Sequence, residues 1–92
     1  MPLHVELVSV EREVWSGEAD MVVARTTEGE IGILSGHAPL LGQLADGFDV
    51  RIQQTGGGEL VVGVSGGFLS VTEAGVTILA EAATLPGESV PA

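Results

Sequence analysis

The chain has no cysteine and no lysine, and its only full-time cations are three arginines against thirteen acidic residues, a net charge of −10. Without cysteine there is no disulfide and no thiolate metal site, and the redox compartment leaves no mark on the sequence. With so few cations, nucleic-acid binding is excluded, because it needs clustered Lys and Arg to displace counterions. Direct adhesion to an anionic lipid surface is disfavoured for the same reason. No apolar run approaches the roughly 20 residues of a membrane helix. The N-terminus has no basic stretch followed by an apolar block, so no secretory signal is expected and a cytoplasmic location is the starting expectation. No window of eleven residues carries a 3.6-residue apolar period, so helices are not expected either. A partner for such a chain offers arginine or lysine, or meets an apolar patch.

Glycine and apolar residues are abundant. Fourteen glycines in 92 residues, with 45% hydrophobic and 17% charged side chains, describe a small globular domain full of tight reversals. A chain of this length buries only about 60–65% of its unfolded surface, enough for one thin core. Leu3-His4-Val5-Glu6-Leu7-Val8-Ser9-Val10 alternates and reads as an edge or half-buried strand. Glu11-Arg12-Glu13 is a charged connection, and Trp15 is a packing anchor beside an expected turn at Gly17. Ala19–Thr27 is β-branched at its centre and ends at a Glu28-Gly29 turn; Glu30–Leu34 follows, with Gly32 expected to mark a bulge or a close backbone approach. Asp46-Gly47 signals a turn, and Phe48, Val50 and Ile52 are expected to face inward. Gly56-Gly57-Gly58 reverses the chain, making Phe48–Ser65 a hairpin. Phe68–Thr72 and Val76–Ala83 complete the strands, and Thr84–Ala92, with two prolines, is expected to be a flexible tail beyond a domain of residues 1–83. Short strands about ten residues apart, punctuated by glycine, predict an all-β fold, a flattened antiparallel two-sheet β-sandwich forming a single domain.

The stretch from Gly29 to Leu41 draws the most attention. A strand runs into Ser35-Gly36-His37-Ala38-Pro39, where ladder pairing cannot persist, and then into Leu40-Leu41, which are expected to re-enter the core. An apolar loop held at both ends is a candidate for function. Gly63-Val64-Ser65-Gly66-Gly67 matches the G-x-S-x-G nucleophile pattern, but that pattern needs a strand turning into a helix, with its histidine later in the chain. Here strand-like residues follow, and His4 and His37 both precede Ser65. A glycine-flanked turn is the better reading. His37 has only His4 as a second imidazole, so it is read as closing its loop on a carbonyl or as touching a partner, rather than as a metal ligand. Glu11, Glu13 and Glu18 form a solvated acidic rim, and the glycines at 56–58 lack the lysine and helix of a phosphate loop. No catalytic residue, metal or cofactor is assigned.

The order Val8-Ser9, Trp15-Ser16-Gly17, Thr27-Glu28-Gly29-Glu30-Ile31-Gly32-Ile33-Leu34, Gly36-His37-Ala38-Pro39-Leu40-Leu41, Ser65-Gly66-Gly67-Phe68-Leu69-Ser70-Val71 and Val76–Ala83 resembles the epsilon subunit of F-type ATP synthase in its N-terminal β-sandwich domain, over roughly residues 3 to 83. The resemblance implies a non-catalytic subunit of the central stalk that joins the gamma subunit to the c-ring and couples proton-driven rotation to ATP synthesis. It implies a peripheral location on the cytoplasmic face of the bacterial membrane, reached only through the complex. It also implies that Glu28, Gly29, Glu30, Ile31 and Gly32 meet the c-ring, and that His37, Ala38, Pro39, Leu40 and Leu41 lie against gamma. Ser35 stands where the family commonly has proline, which softens the loop. The family's C-terminal helical hairpin, which restrains ATP hydrolysis and in some members binds ATP, has no counterpart before Ala92, so inhibition and nucleotide binding are not carried over. The competing expectations are a free-standing acidic β-sandwich binding module, for which the 29–41 loop is incidental, and a small hydrolase acting through Ser65.

Overall fold

The computed structural model describes residues 3–10, 12–46 and 49–84. The expectations for Glu11, Gly47, Phe48 and residues 85–92 lie outside this set. The described residues form nine strands: β1 (Leu3–Ser9), β2 (Glu13–Thr26), β3 (Gly29–Leu34), β4 (Leu40–Gln43), β5 (Asp49–Gln54), β6 (Glu59–Ser65), β7 (Phe68–Thr72), β8 (Gly75–Ala80) and β9 (Ala82–Thr84). They pair in the order β4-β7-β8-β1-β2-β5-β6-β9, with β3 added to β2.

That path folds over on itself because β2 is fourteen residues long and serves both halves. Its first half pairs β1, from Leu3↔Ala19 to Val8↔Glu13. Its second half pairs β3 on one edge and β5 on the other. The chain crosses back at Glu81, whose N–H donates to Ser65 O at 3.1 Å, so that β8 belongs to one sheet and β9 pairs with β6 in the other. A second seam forms where Thr27 N–H donates to Gln43 O and Ala45 N–H to Arg25 O, both at 2.9 Å. The resulting sandwich measures 39 × 29 × 20 Å, and the short dimension suits two sheets packed about 10 Å apart with side chains outside.

Alternation sends one side of each strand into a shared core. Leu3, Val5 and Leu7 of β1, Val50 and Ile52 of β5, Leu69 and Val71 of β7, and Val76 and Ile78 of β8 are all buried, and no described polar or charged residue is. Each fully buried aliphatic side chain contributes about 1.5–3 kcal/mol through removal from water.

Several local expectations are corrected. Of the two readings of β1, half-buried holds and edge does not: it lies between β2 and β8, and its pairing with β8, from Val5↔Val76 to Ser9↔Ala80, is parallel while every other named pair is antiparallel. No turn occurs at Gly17; β2 runs straight through it. Trp15 and Gly17 face the core side opposite Leu7 and Val5, and the indole lies over Gly17, where a Cβ would come within 2.7 Å of a ring carbon. The glycine is there to admit the ring. Gly32 marks no bulge, since the β2–β3 register passes through Val23↔Gly32 unbroken and nothing lies within 4 Å of an added Cβ. The ladder irregularities fall instead between Leu7 and Val8, and between Ala19 and Met21. The expected last strand breaks at Glu81 to make the crossing.

Candidate functional site

Two features rise from the scaffold near the Gly29–Leu41 stretch. The first is the β2–β3 hairpin. Its two-residue turn, Thr27-Glu28, is held by Thr26 Oγ1, which donates to Gly29 O at 3.0 Å and accepts from Glu28 N–H at 3.2 Å. Gly29 sits at φ +129°, a region that L side chains rarely adopt. Glu28 and Glu30 are exposed, Ile31 is half-buried against the core, and Gly32 is open on its outward side. Across the ladder Arg25 stands opposite Glu30, an oppositely charged cross-strand pair on the outer face. Glu28 to Gly32 thus run from the turn into β3, and the expected Glu28-Gly29 turn falls one residue earlier, at Thr27-Glu28.

The second feature is the β3–β4 connection. His37 N–H donates to Leu34 O at 3.1 Å across a turn in which Gly36 takes φ +86°. The His37 ring turns Nδ1 to Ala38 O at 2.7 Å; a carbonyl can only accept, so Nδ1 carries the proton and Nε2 is left for other contacts. This is the loop-closing role. The loop packs beside the start of β1 and the β7–β8 turn, so that His4 and His37 line the same cleft. His4 itself pairs with Glu6 at 3.3 Å in an exposed contact. The expectation that Leu40 and Leu41 both re-enter the core is corrected. β4 is a strand, so its residues alternate: Leu40 packs against the core while Leu41 points out and is 74% exposed.

Across the ladder Leu41 stands opposite Ser70. On the outer face of the same sheet Phe68, Leu79 and Val8 lie side by side in register across β7, β8 and β1, with Phe68 52% and Leu79 44% exposed. Val10, 74% exposed, lies near Phe68 and Leu79. A groove runs beside these residues, with Asp46 and Glu81 on its rim. Contiguous exposed apolar surface of this kind marks an interaction site. Sequence reasoning missed it because both faces of Phe68-Leu69-Ser70-Val71-Thr72 carry apolar residues, and period two alone does not say which face is inside. The available signal was Phe68 itself, an aromatic in phase with Ser70 and Thr72 rather than with two aliphatics.

Ser65 ends β6 and is exposed. Gly66 and Gly67 follow at φ +63° and +105°, and the chain then enters β7, a strand and not a helix. Gly66 N–H donates to Asp46 Oδ1 at 2.7 Å, and Gly67 O accepts from Leu44 N–H at 2.9 Å. The glycines serve a tight strand-to-strand reversal, and no nucleophile elbow forms. Among the described residues no three His, Asp or Glu side chains are grouped to hold a metal ion.

Residues 2–86 match the sequence profile of the family described as ATP synthase, Delta/Epsilon chain, beta-sandwich domain. The chain belongs to this family. Among its relatives, the ATP synthase epsilon chain of Frankia casuarinae is 62% identical over 85 residues, covering 92% of this chain and 99% of the relative. The epsilon chain of Mycobacterium sp. (strain KMS) is 57% identical over 86 residues, covering 94% of this chain and 71% of that one. In solved structures the family fold recurs in a chain of the Euglena gracilis mitochondrial ATP synthase OSCP/F1/c-ring assembly, with TM-score 0.84 and 28% identity, covering 91% of this chain and 53% of that one. A chain of the Tetrahymena thermophila ATP synthase central stalk and c-ring shares the fold at TM-score 0.70 and 19% identity, covering 88% of this chain. This chain thus spans about half and about two-thirds, respectively, of those two structural relatives.

Proposed function

We propose that this protein is a non-catalytic epsilon subunit in the central stalk of an F-type ATP synthase. It holds the gamma subunit and the c-ring together as one rotating body, so that proton-driven rotation reaches the catalytic head. It performs no chemistry of its own. Its place is the cytoplasmic face of a bacterial membrane, and the complex alone keeps it there.

The observation that carries this reading is the pairing of two unlike surfaces on one scaffold of strands: an acidic hairpin and an apolar strip. The hairpin residues Glu28, Gly29, Glu30, Ile31 and Gly32 meet the c-ring, where a surface of negative charge selects basic groups and sets register. His37, Ala38, Pro39, Leu40 and Leu41 lie against gamma. The strip of Val8, Phe68 and Leu79 extends the gamma contact. The close relatives named as epsilon chains support this reading over a free-standing acidic binding module.

Glu30→Arg tests the electrostatic part. An exposed pair of this kind is worth about 0.2–1 kcal/mol, so Glu30→Gln has a small effect while charge reversal has a larger one. The expected result is weakened coupling of ATP hydrolysis to proton pumping in membranes carrying Glu30→Arg, with the isolated domain still folded. Normal coupling with the arginine variant removes the charge argument at this hairpin.

A further inference from the structure

β3 has the longest run of bare strand edge among the described residues. It pairs β2 along its whole length, from Met21↔Leu34 to Thr26↔Gly29, and no other strand lies along its second edge. The other outer strands are protected differently. β9 has only three residues. The end of β4 is taken up by the hydrogen bonds that join Gln43 and Ala45 to the end of β2. Natural sheets guard a free edge with lysine, proline, a bulge or extreme shortness. β3, with the sequence Gly-Glu-Ile-Gly-Ile-Leu over six residues, has no lysine, no proline and no break in register. In an antiparallel ladder alternate residues turn both N–H and C=O toward the partner, and the others turn both away. Three residues of β3 therefore turn main-chain groups away from β2, and of these the carbonyl at the end of the strand, Leu34 O, already accepts from His37 N–H.

We infer that β3 is a docking edge: an extended segment of the partner subunit adds to it as a further strand, and main-chain hydrogen bonds, more than side-chain charge, hold the contact. This rests on the reading that residues 28–32 meet the c-ring, and it specifies how they do so. The side chains along the edge describe the segment. At the hairpin tip Glu28 and Glu30 are both exposed, so the segment carries arginine or lysine at that end. At the other end Leu34 is 57% exposed beside half-buried Met21, so the segment carries an apolar side chain there. Gly32 between them has nothing within 4 Å of an added Cβ, which leaves room for close approach of another backbone. A second copy of this chain is the poorer occupant, because each copy has a net charge of −10 and self-pairing sets two such charges side by side.

Amide hydrogen exchange decides the matter, measured residue by residue on the isolated chain and on the same chain assembled with gamma and the c-ring. In the isolated chain three alternate amides of β3 exchange fast and three slowly. Strand addition makes the fast set slower by about tenfold or more in the assembly, the scale of a hydrogen bond that must open before exchange, and leaves the slow set unchanged. A fast set that stays fast while Glu30→Arg still weakens assembly overturns strand addition and spares the c-ring contact. A fast set that stays fast with Glu30→Arg assembling normally overturns both. Protection that appears in the isolated chain and grows with its concentration assigns the edge to a second copy and also overturns the proposal.

Discussion

Replacing Gly67 by alanine gives a sharp structural test, because Gly67 belongs to the sequence pattern that resembles a hydrolase and the structure gives it a different task. Gly67 has φ +105°, and a Cβ on it would lie 1.9 Å from Leu79 O and 2.8 Å from Ala80 Cα. These are backbone atoms of β8, so no side chain can swing aside. A non-glycine residue in such a backbone region costs about 1–3 kcal/mol before any clash is counted. Relieving the clash moves the start of β7 away from β8 and strains the bond from Leu44 N–H to Gly67 O, a further loss of about 0.5–1.5 kcal/mol. The sum is about 1.5–4.5 kcal/mol, out of a total stability of about 5–15 kcal/mol for a domain. At this size each kcal/mol moves the melting temperature by about 4–8 °C, so Gly67→Ala lowers Tm by about 6 °C or more. Gly32→Ala is the control, since that glycine has no left-handed φ and open space around it. Its stability changes by less than about 1 kcal/mol in either direction. Urea and thermal unfolding followed by far-ultraviolet circular dichroism measure both. If Gly67→Ala melts within a degree or two of Gly32→Ala, the close approach of β7 to β8 is wrong, and with it the account of why two glycines follow Ser65.

Two further outcomes follow from burial and exposure. Leu7→Ala removes a fully buried side chain at the centre of the core and destabilises by about 2–5 kcal/mol in equilibrium denaturation; a loss under 1 kcal/mol contradicts the placement of β1 between β2 and β8. Leu41→Asp, at a side chain 74% exposed, leaves unfolding within about 0.5 kcal/mol of the parent, yet it weakens gamma binding in a titration by about tenfold or more, the effect of losing an apolar anchor at an interface. A variant that binds gamma normally takes Leu41 out of the contact.

Much of the fold could be read from the chain. Alternation in Leu3-Val5-Leu7 and Val50-Ile52 identifies their inward faces, and Gly56-Gly57-Gly58, all at positive φ, marks the β5–β6 reversal. The misses have a common cause: they depend on what lies across from a residue, which no local pattern contains. Gly17 looks like a turn unless one knows that the Trp15 ring covers it. Nothing within β1 or β8 tells that they run parallel. Leu40 and Leu41 both invite burial, and only the alternation of β4, set by its pairing with β7, sends Leu41 outward. The β2–β3 reversal was legible to within one residue because its features are local: a glycine at positive φ and exposed acids beside it. The apolar strip was not, because Val8, Phe68 and Leu79 come from three strands distant in sequence.

The central claim is that this domain bridges two partners without chemistry of its own, and co-purification tests it most directly. The tagged 92-residue chain, expressed with its own synthase and captured from detergent-solubilised membranes at physiological salt, is expected to bring down both gamma and the c-ring. It should lose the c-ring before gamma when Glu30 is reversed to arginine, and gamma before the c-ring when Leu41 becomes aspartate. Capture of neither partner, or of both equally well from each variant, contradicts the account.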